Sequence, residues 1–171
     1  FADALRNAMR QAPDMIVIGE IRDREAMQSA ISYAETGHLC ISTLHANNAN
    51  QAIKRILNFF PEAMYPQLLM DLSLNLQAVV AQRLLTGTQD SMVLAYEVMV
   101  RTAYISDLIR KGNINEIRAS IDKNADPDMQ SFDQCLLGLY NKGLIDQQTA
   151  LDHADSKTEL NLKIRLAAAG R

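Results

Sequence analysis

An acidic residue follows a short apolar run near the beginning of the chain. The run Met15-Ile16-Val17-Ile18 is closed by Gly19-Glu20. An apolar run of this length without alternation predicts a central strand, buried on both faces of a parallel sheet. Ligands of open α/β sheets bind at the carboxyl ends of the strands, which is where Glu20 would lie. A carboxylate there can hold a magnesium ion through water, or orient and deprotonate a water molecule that attacks a phosphate.

Glu20 also has a structural interpretation. An acid at a strand end can cap the following helix or pair with a nearby cation, and Arg22 and Arg24 follow it closely. The strand pattern alone does not separate this role from a catalytic one, so both interpretations stay open at this point.

Two of the three histidines flank the next predicted strand. His38 precedes that strand and His45 follows it. Because a strand rises roughly 3.3 Å per residue, the two histidines would stand about 23 Å apart in an extended segment and could not share one metal ion. His45 is predicted at the same sheet edge as Glu20, where a ring nitrogen could donate to a phosphate. His38 is predicted at the opposite end, and for both histidines a purely structural role is the alternative.

The chain lacks the loop that commonly binds nucleotide phosphates. None of its 7 glycines belongs to a GxxxxGK[ST] sequence, which would supply a backbone cradle and a lysine for the β and γ phosphates. These residues are therefore not expected to bind ATP normally by themselves.

The elements that would position these residues form a strand, helix, strand unit. Residues 2–10 are predicted as a short helix that ends before Pro13. Apolar residues at helical spacing predict a crossover helix over 23–36, with Asp23 as N-cap and Gly37 as a left-handed C-cap. A second strand over 39–44 completes the unit.

Further helices are predicted over 47–60 and 67–82, where the longer one carries a leucine-rich apolar face that is expected to pack in the core. Residues 83–85 and 92–98 flank a polar, glycine-containing turn, which predicts an antiparallel hairpin at a sheet edge. Beyond residue 100 the pattern predicts short helices over 104–111, 114–124, 132–142, 147–153 and 157–169. We therefore expect an α/β domain over residues 1–100 and an all-helical subdomain over residues 101–171.

Composition excludes several classes of protein. The chain has 171 residues, of which 48% are hydrophobic and 22% charged, as is typical of globular proteins. Its 17 Lys and Arg against 20 Asp and Glu give a net charge of −3, so no nucleic-acid partner is expected.

No apolar run approaches the roughly 20 residues of a membrane-spanning helix. Cys40 and Cys135 lie far apart, which disfavours a disulfide scaffold or zinc site and fits a cytoplasmic location. The first residue, Phe1, indicates a piece of a longer protein.

Four sequence blocks closely resemble the secretion and type IV pilus ATPases. They are LRNAMRQAPD at 5–14, IGEIRD at 18–23, AETGHL at 34–39 and STLHA at 42–46. The blocks keep the order and spacing of that family, and the resemblance extends over essentially the whole chain.

The resemblance implies a role for each of these residues. Glu20 would be the Walker B glutamate, with Arg22 in the Walker B region, and His38 and His45 would form the His box. The fold would be part of a RecA-like P-loop core, a three-layer α/β/α structure, followed by a helical subdomain. The Walker A loop, the Asp box and a PAS-like domain would lie upstream. The full-length protein would form a homo-hexamer that binds ATP with Mg²⁺. Glu20 would hold the Mg²⁺ through water, and no protein side chain would ligate the metal directly.

The second half of the chain indicates the branch of the family. Residues 104–111 resemble the AIRNLIRE helix of pilus-retraction motors, with departures at several polar positions. These departures look more like PilU than PilT within the PilT/PilU family, whereas assembly ATPases such as PilB carry a cysteine-rich insertion that this sequence lacks. The implied partners are a PilT-like retraction ATPase and a platform protein at the inner-membrane base of the pilus. Asp107 and Arg110, on the polar side of this helix, are candidate coupling residues.

A hypothesis of another class is that the chain acts as a non-catalytic module, which binds a partner motor or the platform protein through its last 70 or so residues. A pilus-assembly or type II secretion ATPase is a further alternative.

The missing phosphate-binding loop generates the first prediction. The 171-residue chain alone should show no magnesium-dependent ATPase above background. The measurement is phosphate release by the chain beside the full-length protein, and turnover comparable to the full-length control would contradict the prediction.

Overall fold

A computed structural model describes residues 13–88, 91–123 and 127–169. The helix predicted over 2–10 lies outside these residues. Two 3-10 helices, Glu62–Met64 and Ile114–Glu116, accompany the main elements. In chain order the main elements are β1 (Met15–Ile18), α1 (Arg24–Glu35), β2 (Leu39–Ser42), α2 (Ala49–Leu57), α3 (Tyr65–Asn75), β3 (Ala78–Thr86), β4 (Met92–Val100), α4 (Ala103–Arg110), α5 (Ile117–Lys123), α6 (Phe132–Asn141), α7 (Gln147–His153) and α8 (Lys157–Ala169).

The described residues pack into two compact units. Unit 1 comprises 13–46, 50–77 and 101–117, and unit 2 comprises 47–49, the described part of 78–100 and the described part of 118–169. The chain therefore passes between the units several times, so these packing units differ from the domains that the sequence predicts on either side of residue 100. The predicted domains stay a prediction.

Unit 1 is built on a βαβ arrangement. β1 and β2 pair in parallel, from Met15 opposite Leu39 to Ile18 opposite Ser42. Between them, α1 begins where the Asp23 side chain accepts a hydrogen bond from the Ala26 N–H at 2.8 Å. Gly37 follows the helix with φ of 91°, a conformation that residues with a Cβ rarely adopt. The predicted strands, helix and both caps are confirmed.

Only one face of the parallel pair is covered by the described residues. Ile16 and Ile18 are buried, whereas Met15 and Val17 are 51% and 66% exposed, and on β2 Leu39 and Ile41 share that exposure. Alternate residues of a strand point to opposite faces, so Ile16 and Ile18 lie on the covered face and Met15 and Val17 lie on the open face. The prediction that β1 is buried on both faces is therefore wrong for the described chain.

The rest of unit 1 is helical. α1 packs against β2 and α3, and α3 packs against α4. The buried apolar residues of these helices include Ala26, Met27, Ala30, Ile31, Leu68, Leu72, Ile105, Leu108 and Ile109. Burial of the isoleucine, leucine and methionine side chains among them stabilises the folded state by roughly 1.5–3 kcal/mol each.

The helix predicted over 67–82 is wrong in its second half. α3 ends at Asn75, and the residues from Ala78 onward are strand β3. The β-branched Val79 and Val80 favour a strand. Pairing with β4 gives their segment the backbone hydrogen bonds that a helix would otherwise provide. A continuous apolar pattern cannot by itself separate these two structures.

Unit 2 contains the predicted antiparallel hairpin. β3 and β4 pair along their full length, from Ala78 opposite Val100 to Thr86 opposite Met92. In the described part of the chain the two strands form a two-stranded sheet of their own, in which each is an edge strand. β3 and β4, which are longer than β1 and β2, satisfy each other's backbone hydrogen bonds along one edge.

Helices α6, α7 and α8 cover the inner face of the hairpin. The residues of this core are Ala81, Leu85, Ala95, Phe132, Cys135, Leu136, Ile145, Ala150, Leu160 and Ile164. α6 begins with a capping box in which Ser131 and Gln134 each bond the backbone of the other. The helices predicted for this region are confirmed, with α7 and α8 at the predicted bounds.

A polar cluster with one fully buried member lies within unit 2. Arg83 donates to Asp155 at 2.7 Å, and its guanidinium carbon lies 3.8 Å from the centroid of the Phe132 ring. Glu97, only 2% exposed, accepts a hydrogen bond from the Ala49 N–H at 2.8 Å. Burial raises the pKa of Glu97, and the negative Asp155 adds to that rise, while the Ala49 N–H and Arg83 oppose it.

The raised pKa of Glu97 gives a pH-dependent contribution to stability with a definite sign. The folded state binds this proton at pH values where the unfolded state has lost it, so stability falls as pH rises from the ordinary glutamate pKa through the raised one. Glu97→Gln should remove this dependence, because the amide is neutral and its oxygen can still accept from Ala49.

Urea unfolding of both proteins between about pH 4 and 8 measures the effect. The Glu97→Gln chain should gain stability relative to the parent as pH rises, whereas Glu159→Gln at an exposed position of α8 controls for loss of a charge. A stability difference between Glu97→Gln and parent that does not change with pH would contradict the prediction.

Candidate functional site

Glu20 lies just beyond the carboxyl end of β1, in unit 1. It is two positions after Ile18, the last residue of the strand, and its side chain is 21% exposed. Because β1 and β2 are parallel, the residues that follow Ser42 at the end of β2 reach the same edge. The position predicted for Glu20 and His45 is therefore the one that the strand pairing produces.

Both carboxylate oxygens of Glu20 contact positively charged or polar groups. Arg22 donates from Nε to Oε2 at 2.6 Å, and its terminal Nη2 lies 2.6 Å from the same oxygen. His45 Nε2 lies 2.9 Å from Oε1. The structure thus brings together the three predicted residues Glu20, Arg22 and His45, and it also shows the pairing with Arg22 that the structural interpretation of Glu20 expects.

The electrostatic surroundings keep Glu20 ionised. The hydrogen bond from Arg22 lowers the pKa of Glu20 most, the charges of Arg22, His45 and Arg55 add to that effect, and partial desolvation opposes it. Reciprocally, Glu20 raises the pKa of Arg22. Glu20 is therefore a negatively charged hydrogen-bond acceptor.

Arg55 is a contributor that the sequence motifs do not reveal. It lies in the last turn of α2, 35 positions after Glu20, so no local spacing connects the two. The one available signal is the cluster of basic residues, Lys54 and Arg55, that ends α2.

His38 lies at the amino end of β2, away from the edge that carries Glu20. Its ring Nδ1 is 3.0 Å from the hydroxyl of Thr36 and 3.3 Å from the carbonyl oxygen of Tyr33. These contacts join the histidine to the turn between α1 and β2. The structure does not bring His38 to Glu20, and its catalytic role stays a prediction.

Glu20 is the carboxylate of this cluster that could contact Mg²⁺. Among the residues that the structure describes, no three His, Cys, Asp or Glu side chains come together to hold a metal ion. Mg²⁺ commonly keeps several waters and takes one or two carboxylates with substrate phosphates. Both oxygens of Glu20 are in contact with Arg22 or His45, and the expected contact of Glu20 with Mg²⁺ through water stays a prediction.

The predicted coupling residues lie on the exposed side of α4. Asp107 is in contact with Arg110 Nη2 and Lys111 Nζ, both at 2.6 Å. Ile105, Leu108 and Ile109 are buried on the other side of the helix, as the spacing predicts.

The comparison with known proteins identifies the family. Residues 1–98 match the family described as "Type II/IV secretion system protein". The chain belongs to this family.

Two curated relatives place the chain within the secretion family. It is 50% identical to the "Type IV pilus ATPase PilU" of Pseudomonas aeruginosa over 169 residues, which are 98% of this chain and 44% of that protein. It is 38% identical to the "Type IV pilus retractation ATPase PilT" of the same organism, over 90% of this chain and 45% of PilT. The resemblance to the PilT/PilU family is confirmed, and the greater identity to PilU than to PilT agrees with the departures in the second half. The chain spans less than half the length of these relatives.

A solved structure of the same secretion family shares the fold. The crystal structure of the pilus retraction motor PilT with bound ADP matches 94% of this chain and 45% of that chain, with a TM-score of 0.84 and 38% identity. The predicted α/β class with a helical part is confirmed. Within the described residues no helix has the length and apolar character to cross a membrane.

Proposed function

We propose that the chain is the C-terminal part of the ATPase domain of a hexameric motor, which hydrolyses ATP to power type IV pilus retraction. The observation that carries this proposal is the Glu20, Arg22 and His45 cluster at the carboxyl edge of β1 and β2, within a chain 50% identical to PilU. The catalytic residue in this proposal is Glu20, which orients and deprotonates the attacking water.

His45 supports this chemistry with a ring nitrogen, and Arg22 supports it with a positive charge. His45 Nε2, 2.9 Å from Glu20 and on an 84% exposed side chain, can exchange its carboxylate partner for a phosphate oxygen. Arg22 keeps Glu20 charged before the substrate arrives. Mg²⁺ would neutralise charge on the phosphates of ATP and reach Glu20 through water.

The rest of the nucleotide site would come from upstream residues of a longer polypeptide. The chain contains no GxxxxGK[ST] sequence, and the relatives are about twice its length or longer. The open apolar face formed by Met15, Val17, Leu39 and Ile41 supports this proposal, because soluble proteins seldom leave such a sheet face uncovered. We place the Walker A loop and the Asp box in that upstream part.

The full-length protein would assemble as a homo-hexamer in the cytoplasm, at the inner-membrane base of the pilus. A PilT-like retraction ATPase and the platform protein are the partners that this role requires. The predicted domains, an ATPase core to residue 100 and a helical subdomain beyond it, belong to the same proposal.

The catalytic role of Glu20 is tested in the full-length protein. Glu20→Gln should leave ATP binding nearly unchanged and lower turnover by about a hundredfold or more, because the amide keeps the shape but cannot accept the proton. ATP affinity and phosphate release are measured beside Glu25→Gln, an exposed glutamate of α1, as the control for lost charge. Equal losses of binding and turnover would show that Glu20 is structural.

The coupling role of α4 is tested by removing its exposed ion pair. Asp107→Ala with Arg110→Ala should keep the full-length protein folded and hydrolysing ATP, because exposed pairs of this kind contribute little to stability. Retraction should fail, because the polar side of the helix would no longer contact its moving partner.

The matched control is Asp152→Ala with Lys157→Ala, which removes an exposed pair at 3.3 Å in unit 2. ATPase rate, melting temperature and pilus retraction are measured for both double variants. Normal retraction with Asp107 and Arg110 removed would contradict the coupling role, and lost hydrolysis with an intact fold would place α4 in the catalytic cycle instead.

A further inference from the structure

Thr43 contacts the backbone on both sides of Glu20. Its hydroxyl donates a hydrogen bond to the carbonyl oxygen of Gly19, and its own carbonyl oxygen accepts a hydrogen bond from the Ile21 N–H at 3.1 Å. The residue follows Ser42, the last residue of β2, so these contacts continue the pairing of β1 and β2 past the ends of the strands. The motifs of the sequence give Thr43 no role of its own.

The two contacts hold the two peptide planes that meet at Glu20. The Gly19 carbonyl oxygen belongs to the planar peptide group that precedes the Cα of Glu20, and the Ile21 N–H belongs to the group that follows it. Only φ and ψ of Glu20 lie between these planes. When both planes are held by one residue, the direction of the Cα–Cβ bond of Glu20 is determined as well.

Gly19 gives the backbone just before Glu20 more conformational freedom than another residue would give. Gly19 can adopt backbone conformations that other residues cannot, and a Cβ added there would meet no atom within 4 Å. Packing around position 19 therefore leaves the backbone conformation of Gly19 unrestricted. The hydroxyl of Thr43 restricts this freedom through its hydrogen bond to the Gly19 carbonyl oxygen.

The same residue lies two positions before His45. Thr43 thus orients Glu20 from the segment that also carries the group 2.9 Å from Glu20 Oε1. We infer that Thr43 is a positioning residue for Glu20, which acts through its side-chain hydroxyl in the ATP hydrolysis proposed above. The inference rests on that proposed function.

The hydroxyl can be removed with little change of shape. Thr43→Val replaces it by a methyl group, keeps the β-branched side chain and retains the main-chain bond to Ile21, while Thr43→Ser keeps the hydroxyl. Thr43 is exposed, so the valine leaves no buried cavity. Ser29→Ala is the matched control, because the Ser29 hydroxyl donates to the Glu25 carbonyl oxygen within α1 and away from Glu20.

The test measures kcat, ATP affinity and melting temperature of these variants in the full-length protein, with parent and Glu20→Gln beside them. Thr43→Val should lower kcat by about tenfold or more, since small misplacements of catalytic groups are costly, with ATP affinity within about twofold of the parent. Thr43→Ser should recover most of the rate, and Ser29→Ala should match the parent in rate.

Three results would overturn the inference. They are a Thr43→Val rate within about twofold of the parent, a Thr43→Ser rate as low as that of valine, and a rate loss of Thr43→Val that is matched by a large loss of melting temperature. The proposed function fails separately, when the parent does not hydrolyse ATP or when Glu20→Gln hydrolyses it as fast as the parent. If Glu20→Gln alone is slow, only the role of Thr43 is overturned.

Discussion

The parallel pairing of β1 with β2 is the constraint on which the candidate site depends. With Ile18 opposite Ser42, the segments that leave the two strands begin side by side, and Glu20 and His45 meet although they are 25 positions apart. A shift of this register by one residue would turn Ile16 and Ile18 toward the open face and separate the polar groups. The burial of these two isoleucines therefore stabilises the geometry of the site as well as the fold.

Local signals predicted much of the architecture. Asp23 and Gly37 mark the ends of α1 because each provides a backbone or side-chain property that a helix end requires. The prediction was wrong where the deciding interaction is distant in sequence. Residues 78–82 fit an apolar helix by their pattern, and only their pairing with β4 makes them a strand. The prediction that β1 is buried on both faces was wrong for the same reason. Apolar residues show which faces a strand can bury, but they do not show what covers each face.

The candidate site could be predicted in part for a similar reason. Strand direction places Glu20 and His45 at one edge and His38 at the other, so the sequence separates the two histidines before any coordinates are known. Arg22 follows from proximity in the chain. Arg55 and Thr43 do not, because their effect on Glu20 comes through the packing of α2 and through hydrogen bonds beyond the strand ends.

Glu97 and Glu20 show that the surroundings of a glutamate can shift its pKa in opposite directions. Glu97 is buried, and desolvation raises its pKa, so its charge is a cost to folding. Glu20 is partly exposed, and Arg22 lowers its pKa, so it stays charged but becomes a weaker base. Phosphoryl transfer is promoted mainly by positioning and charge, and much less by the strength of a base. In the function that we propose, a glutamate that is charged, in contact with Arg22 and His45, and oriented through its backbone therefore suits the alignment of a water molecule better than a more basic glutamate that is free to turn.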